Sequence, residues 1–432
     1  MSVPRPARRP VVLLAYAAFV LVGLSAGVGG VLLPAQIDDY GVDKATIGVT
    51  FFTFSAGFLL AGFTTGGLID RLGTRAALAV GAGAFVLAGL YTAVRPPFLA
   101  FVAVQVLAGY GIGVLESVLN AHLSELSGAT TLLNRLHAFF GVGALLAPAL
   151  AAWLLRSLPW TAVWLVLALA CLPLVAGFLL AYPPRRHAAD GPDPVADDGG
   201  PADGRLAPGA PATDGAAPAP DAPPGRSRSG NGNGSLLGAA LRQPAVVLAA
   251  VFLAVYVGLE ISVGNWAFSL LVDGYGQSGV LAGYAVSGYW LGLTAGRFLI
   301  SPLATRARLT PVATSMGCLV GVTVSAVLAW LVPVAAVASV GLVLLGFFLG
   351  PLFPTAMAMV PRLTATRLVP TAIGLMNGVS VLGGAVFPWL AGAVAQGIGV
   401  WTLLPFAVTL AVGQLAIWWR LARRITPARQ PA

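Results

Sequence analysis

Charge is scarce in this chain. Only 9% of its 432 residues are Asp, Glu, Lys or Arg, against about 25% in ordinary soluble domains. So few charges could not cover a soluble fold of this length, whose exterior would be one continuous apolar patch. A soluble enzyme is therefore excluded. Lys44 is the only lysine, so the net charge of +9 rests on arginine. In so apolar a chain this balance bears on loop placement and implies no nucleic-acid partner. The two cysteines, Cys171 and Cys318, sit inside apolar runs, so neither a disulfide framework nor metal-ligand spacing is present. There is no Walker-type glycine loop, and ATP-driven pumping has no support.

Apolar length is abundant instead. Apolar residues make up 58% of the chain, and 54 more are glycine. A bilayer core about 30 Å thick needs about 20 apolar residues per helix. Twelve such runs are found. They cover 11–33, 47–69, 76–94, 98–122, 133–155 and 161–182 in the first half, then 244–272, 280–303, 311–331, 334–360, 370–395 and 400–419 in the second. The first run is too long for a signal peptide and is followed by Pro34 and acids, so it reads as a retained helix. Residues 183–243 are rich in Pro, Ala, Gly, Asp and Arg without apolar periodicity, and read as a disordered linker. The domains predicted are a six-helix bundle over 1–182, a cytoplasmic linker over 183–243, and a second bundle with a basic tail over 244–432. The fold class is all-α and membrane-spanning, with two pseudo-symmetric halves.

Arginine placement predicts orientation, because basic loops stay on the cytoplasmic side during insertion. With both termini inside, 21 of 24 basic residues lie inside, leaving Lys44, Arg95 and Arg156 outside. A multi-pass protein of the plasma membrane follows. Gly143 to Pro148 and Gly383 to Pro388 keep the same spacing in the fifth helix of each half. These matched residues predict helices that pack closely and bend alike. Gly296-Arg297 to Arg306 likewise occupies the loop after the eighth helix where Gly67 to Arg75 occupies the loop after the second, so Arg297 is grouped with Gly67, Asp70, Arg71, Gly73 and Arg75 as a gating motif.

The segment Gly66-Gly67-Leu68-Ile69-Asp70-Arg71-Leu72-Gly73-Thr74-Arg75 resembles the loop motif between the second and third helices of the major facilitator superfamily. Physically, its glycines would permit close helix packing, while Arg71 and Arg75 would hold the loop inside. Together with twelve helices and a central linker, the resemblance covers the whole membrane part of the chain.

Once linker, loops and motif are assigned, Glu116 and Glu260 are the acids left at membrane depth. A carboxylate there costs several kcal/mol unless neutralised, paired or hydrated, which marks a functional site. Both are candidates for proton coupling. Asn120 lies one turn after Glu116 on the same face, and His137 starts the apolar part of the fifth helix. Glu260 precedes Asn265 and Trp266. The helical period sets Glu260 and Trp266 about 240° apart, so they share a cavity only if Gly258 and Gly264 let the helix bend or unwind. Asn120, His137, Glu260, Asn265, Trp266, Trp290 and Asn377 are the predicted substrate contacts. Most other tryptophans, including Trp418 and Trp419, read as membrane-interface residues.

Leu115-Glu116-Ser117 with Asn120, Leu133-Asn134-Arg135-Leu136-His137 with Phe140 to Gly143, and Val31-Leu32-Leu33-Pro34 resemble the sugar branch that includes the fucose:proton symporters. Gly30 stands where those symporters carry an aspartate, and Phe140 replaces their asparagine. The resemblance implies a functional monomer that moves a small-molecule substrate, a sugar or sugar derivative, among membrane lipids, driven by a proton gradient and without a cofactor. The alternatives weighed are proton-coupled efflux of amphipathic drugs, an intramembrane enzyme, and a non-transporting sensor.

Overall fold

The computed structural model describes residues 8–127, 129–182 and 232–424. The helices of the first half are α1 (Arg8–Tyr40), the single turn α2 (Lys44–Ile47), α3 (Val49–Ala93), α4 (Phe98–Ser124), α5 (Ala129–Leu154) and α6 (Trp160–Ala181). Those of the second half are α7 (Gly232–Leu241), α8 (Pro244–Ser269), which continues as a π-turn over Leu270–Gly274, α9 (Gly279–Arg306), α10 (Pro311–Leu331), α11 (Ala335–Leu349), α12 (Leu352–Ala358), α13 (Val360–Leu363), α14 (Val369–Ile398) and α15 (Leu403–Ala422).

Among the described residues, ten segments are long and apolar enough to cross a membrane. One of them, Lys44–Ala93, has 50 residues and would extend about 75 Å as a straight helix. It turns back at Gly73, whose φ of 81° and ψ of 163° are non-helical and suit only glycine. That break makes two crossings of one segment. The 28-residue α9, diluted by Arg297 and several small polar residues, completes the twelve. α1 runs through Pro34 to Tyr40 instead of stopping at Leu33. The linker predicted over 183–243 holds a helix at its end, α7, where Leu236, Leu237, Ala239, Ala240 and Leu241 supply good helix formers; residues 183–231 lie outside the described residues.

The halves repeat the same packing. α1 packs on α5 as α8 packs on α14; α3 packs on α4 as α9 packs on α11; α3 meets α6 as α10 meets α15. The matched glycines explain the first pair. A side chain at Gly143 would overlap the carbonyl of Val20 on α1, and one at Gly383 would overlap the carbonyl of Ala254 on α8. Small residues let membrane helices approach backbone to backbone, since lipid provides no hydrophobic drive for association. Pro148 and Pro388 lie inside α5 and α14 at equivalent positions. Trp418, expected at the interface, is instead 1% exposed and lies tilted against Phe252 at 5.0 Å; Trp419 does face outward.

The two halves meet toward the face that carries Lys44. The Lys44 backbone N–H donates to Gln396 Oε1 at 3.2 Å, and its ammonium stands 4.0 Å from Asp273. Phe52 meets Trp389, Phe51 meets Trp266, and the Ala149 N–H donates to Ser287 Oγ at 3.2 Å. On the same face Arg95 clasps the first half together, donating to the Asp39 carboxylate at 2.7 Å and to the Asp39 carbonyl at 2.8 Å.

Gly66 and Gly67 approach nothing, since a side chain at either would find open space. The expectation that they bring helices together is not met here. The contacts between halves lie at the other face, and of the motif glycines only Gly73 has a conformation that demands glycine.

Candidate translocation site

Glu260 and Arg297 form a buried polar centre in the second half. Glu260 stands 16 residues after the start of α8 and is 8% exposed. Arg297 reaches it from α9, donating from Nη2 to Oε1 at 3.4 Å. That distance exceeds the usual range for an N–H to oxygen hydrogen bond, so Coulombic attraction in a low dielectric carries most of the interaction. The grouping of Arg297 with the gating loop is thereby corrected. α9 continues nine residues beyond it to Arg306, which places the guanidinium inside the helix, where the Glu260 carboxylate compensates its charge. The basic residues attributed to one face fall from 21 to 20 of 24.

Two tyrosines complete the centre. Tyr289 donates its hydroxyl to the Glu260 carbonyl at 2.9 Å. Tyr256, one turn before Glu260, is fully buried and within electrostatic reach of both charges. Its hydroxyl is buried beside the Arg297 and Glu260 side chains, and among the described residues the Arg297 Nε and the Trp290 Nε1 are buried without hydrogen-bond partners. The spacing of Tyr256 from Glu260 was a legible signal, because i and i+4 share a helix face. Tyr289 comes from another helix and had none.

α8 runs unbroken from Pro244 to Ser269. Gly258 is occupied by contact with Phe387, and Gly264 by contact with Trp290, so the helix neither bends nor unwinds there to bring Glu260 and Trp266 into one cavity. Trp266 is 1% exposed, and its Nε1 donates to the Pro388 carbonyl at 2.8 Å. It fastens α8 to α14. Asn265 turns its amide to the Ile261 carbonyl of its own helix at 2.9 Å and packs against Gly29 and Gly30 of α1. Asn265 and Trp266 thus belong to helix contacts, while Trp290, 3% exposed, lines the far side of Gly264.

Glu116 has a different setting. It is half-buried on α4, and among the described residues its carboxylate has no hydrogen bond or ion pair. The Asn120 amide donates to the Glu116 backbone carbonyl at 2.8 Å and not to the carboxylate, so the expected convergence of acid and amide is absent. Local backbone capture of this kind is common for Asn inside helices. His137 is exposed on α5, lies edge-on to Phe19 at 5.6 Å, and is within electrostatic reach of Arg297 across the two halves. Asn377 is exposed on α14 and hydrogen-bonds with none of these groups; its carbonyl accepts from Ser380.

Gly30 lies against the backbone of Gly264 and Asn265. No side chain fits there while the halves meet, which accounts physically for glycine at this position.

The Major Facilitator Superfamily profile matches residues 15–339 and, in a second match, 262–432. The chain belongs to that superfamily. It is a multi-pass membrane transporter and not an enzyme. This superfamily member is 24% identical over 429 residues to "Bypass of stop codon protein 6" of Saccharomyces cerevisiae, spanning 93% of this chain and 80% of the yeast protein. In structure it resembles a bacterial homolog of the human lysosomal transporter Spinster, with a TM-score of 0.70 at 14% identity, over 99% of this chain and 100% of that one. The E. coli fucose:proton symporter aligns with a TM-score of 0.60 at 15% identity, over 98% of this chain and 100% of that one. At these identities the structural likeness establishes the fold.

Proposed function

We propose that this superfamily transporter moves a small polar solute, a sugar or sugar derivative, across the plasma membrane by proton-coupled alternating access. The observation that carries the reading is Glu116, a carboxylate at membrane depth with no partner among the described residues. An unpaired intramembrane acid is costly in its charged form, so it takes up a proton readily when its cavity meets an acidic side and releases it at a neutral one. The Glu260–Arg297 pair has its charge already compensated. Within this centre the Tyr256 hydroxyl and the Arg297 Nε offer polar groups to a hydroxyl-rich solute. The sugar class rests on the Leu115-Glu116-Ser117 and Asn120 pattern shared with the fucose symporters, and on the fold likeness to one of them.

With the halves in contact at the Lys44 face, alternating access opens the opposite, linker face, which arginine placement assigns to the cytoplasm. Both termini and the linker lie on that side, and one chain supplies both halves of the pathway, so the monomer is the functional unit. Residues 1–182 and 244–432 act as the two rocking bodies, with 183–243 as their tether.

The test is uptake into proteoliposomes under an imposed pH gradient, scanned across neutral sugars and cationic amphipathic drugs. Glu116→Gln keeps shape and hydrogen bonding but cannot titrate. It is expected to abolish accumulation driven by the pH gradient while sparing exchange between preloaded vesicles. Glu260→Gln is expected to lower both. Undiminished accumulation in the double variant would refute proton coupling through either residue.

A further inference from the structure

At the linker face of the second half, the turn entering α8 and the last turn of α15 flank an open cleft of about 690 Å³. Arg242 lines one side, and Arg420, Arg423 and Arg424 the other. No acid lines the cleft, and none of the four arginines has an acidic partner among the described residues. The floor is apolar, made by Val247, Leu248 and Trp419. Trp419 is 47% exposed, and the Arg423 guanidinium stands 3.4 Å from its ring centroid. That stacking holds one fork of donors over an amphipathic ring of the kind that sits at headgroup level.

Arginine at the end of a helix complements its dipole and retains a loop on one face. Those roles account for a positive terminus, but not for a cleft with charges on opposite walls over an apolar floor. Guanidinium groups bind phosphate oxygens in forked, charge-assisted pairs. A single inorganic ion held by the arginines would leave the apolar floor uncovered. The position, one turn into the apolar part of α8 on the basic side of the protein, is where anionic headgroups meet intramembrane helices.

From this we infer that the cleft between the start of α8 and the end of α15 binds the phosphodiester headgroup of an anionic phospholipid, its acyl chains lying along Val247, Leu248 and Trp419. The bound lipid ties the linker's entry into α8 to the end of α15, two helices that pack directly on each other.

Native mass spectrometry of the full chain in a neutral detergent tests this with dioleoyl-phosphatidylglycerol, dioleoyl-phosphatidylcholine and inorganic phosphate as probes. The expected result is retention of one phosphatidylglycerol under conditions that strip phosphatidylcholine, undisturbed by millimolar phosphate. Arg420→Gln with Arg423→Gln should weaken that retention roughly tenfold or more. Arg420→Lys with Arg423→Lys should retain more than the glutamine variant, which separates loss of charge from loss of fold. The paired control Arg306→Gln with Arg308→Gln, on another loop of the same face, should leave retention unchanged. Equal retention of the two lipids, displacement by phosphate, or equal loss in the control would each overturn the inference.

Discussion

Arg297 of α9 and Glu260 of α8 meet at 3.4 Å to form an ion pair at membrane depth. Each charge makes the other tolerable in a medium where either alone would be expensive.

Removing one partner is therefore worse than removing both. Arg297→Met leaves the carboxylate buried and uncompensated, and a loss on the order of 3–5 kcal/mol is expected. Adding Glu260→Gln should restore most of it. Thermal unfolding of the detergent-solubilised variants reads this as a double-mutant cycle; single and double variants melting alike would show that the pair is not coupled.

The symmetry argument predicts matched penalties. Gly143→Val and Gly383→Val push a side chain into the backbone of α1 and α8 respectively, and each should cost about 1–3 kcal/mol as overpacking. Gly67→Ala, which meets open space, should leave stability within about 0.5 kcal/mol. Melting temperatures of the three variants check the contrast.

Gly30 reports on the closed face. Gly30→Ala places a methyl group against the Gly264 and Asn265 backbone and should shift the population away from contact at the Lys44 face. A cysteine introduced at Phe51, opposite Trp266, is the probe. Cys171 and Cys318 are both buried, so labelling by a membrane-impermeant maleimide should rise at the new site. Unchanged labelling would mean that the face opens without regard to this contact.

Orientation has its own check. A protease outside sealed right-side-out vesicles should leave residues 183–243 uncut, and a protease on the other side should cleave there. The reverse pattern would invert the proposed topology.

The site divides along a physical line. Glu116 and Glu260 were legible because charge inside an apolar run is a one-dimensional anomaly that any reading along the chain meets. Tyr256 was also legible in principle, lying one helical turn from Glu260. Arg297 was seen but misplaced, because its helix continues across Gly296-Arg297 and sequence alone does not show that a carboxylate from another helix awaits it.

The sequence by itself determined the twelve crossings, the division into halves and the matched glycines, because membrane thickness, backbone hydrogen bonding and helical period are local constraints read residue by residue. Only the tertiary structure decided which polar groups are partners. It gave Arg297 to Glu260, Asn120 to its own backbone, and Trp266 to Pro388, and among the described residues it left the Glu116 carboxylate without a partner. Those outcomes depend on which helices face one another across the bundle, a relation between distant segments that no local spacing encodes.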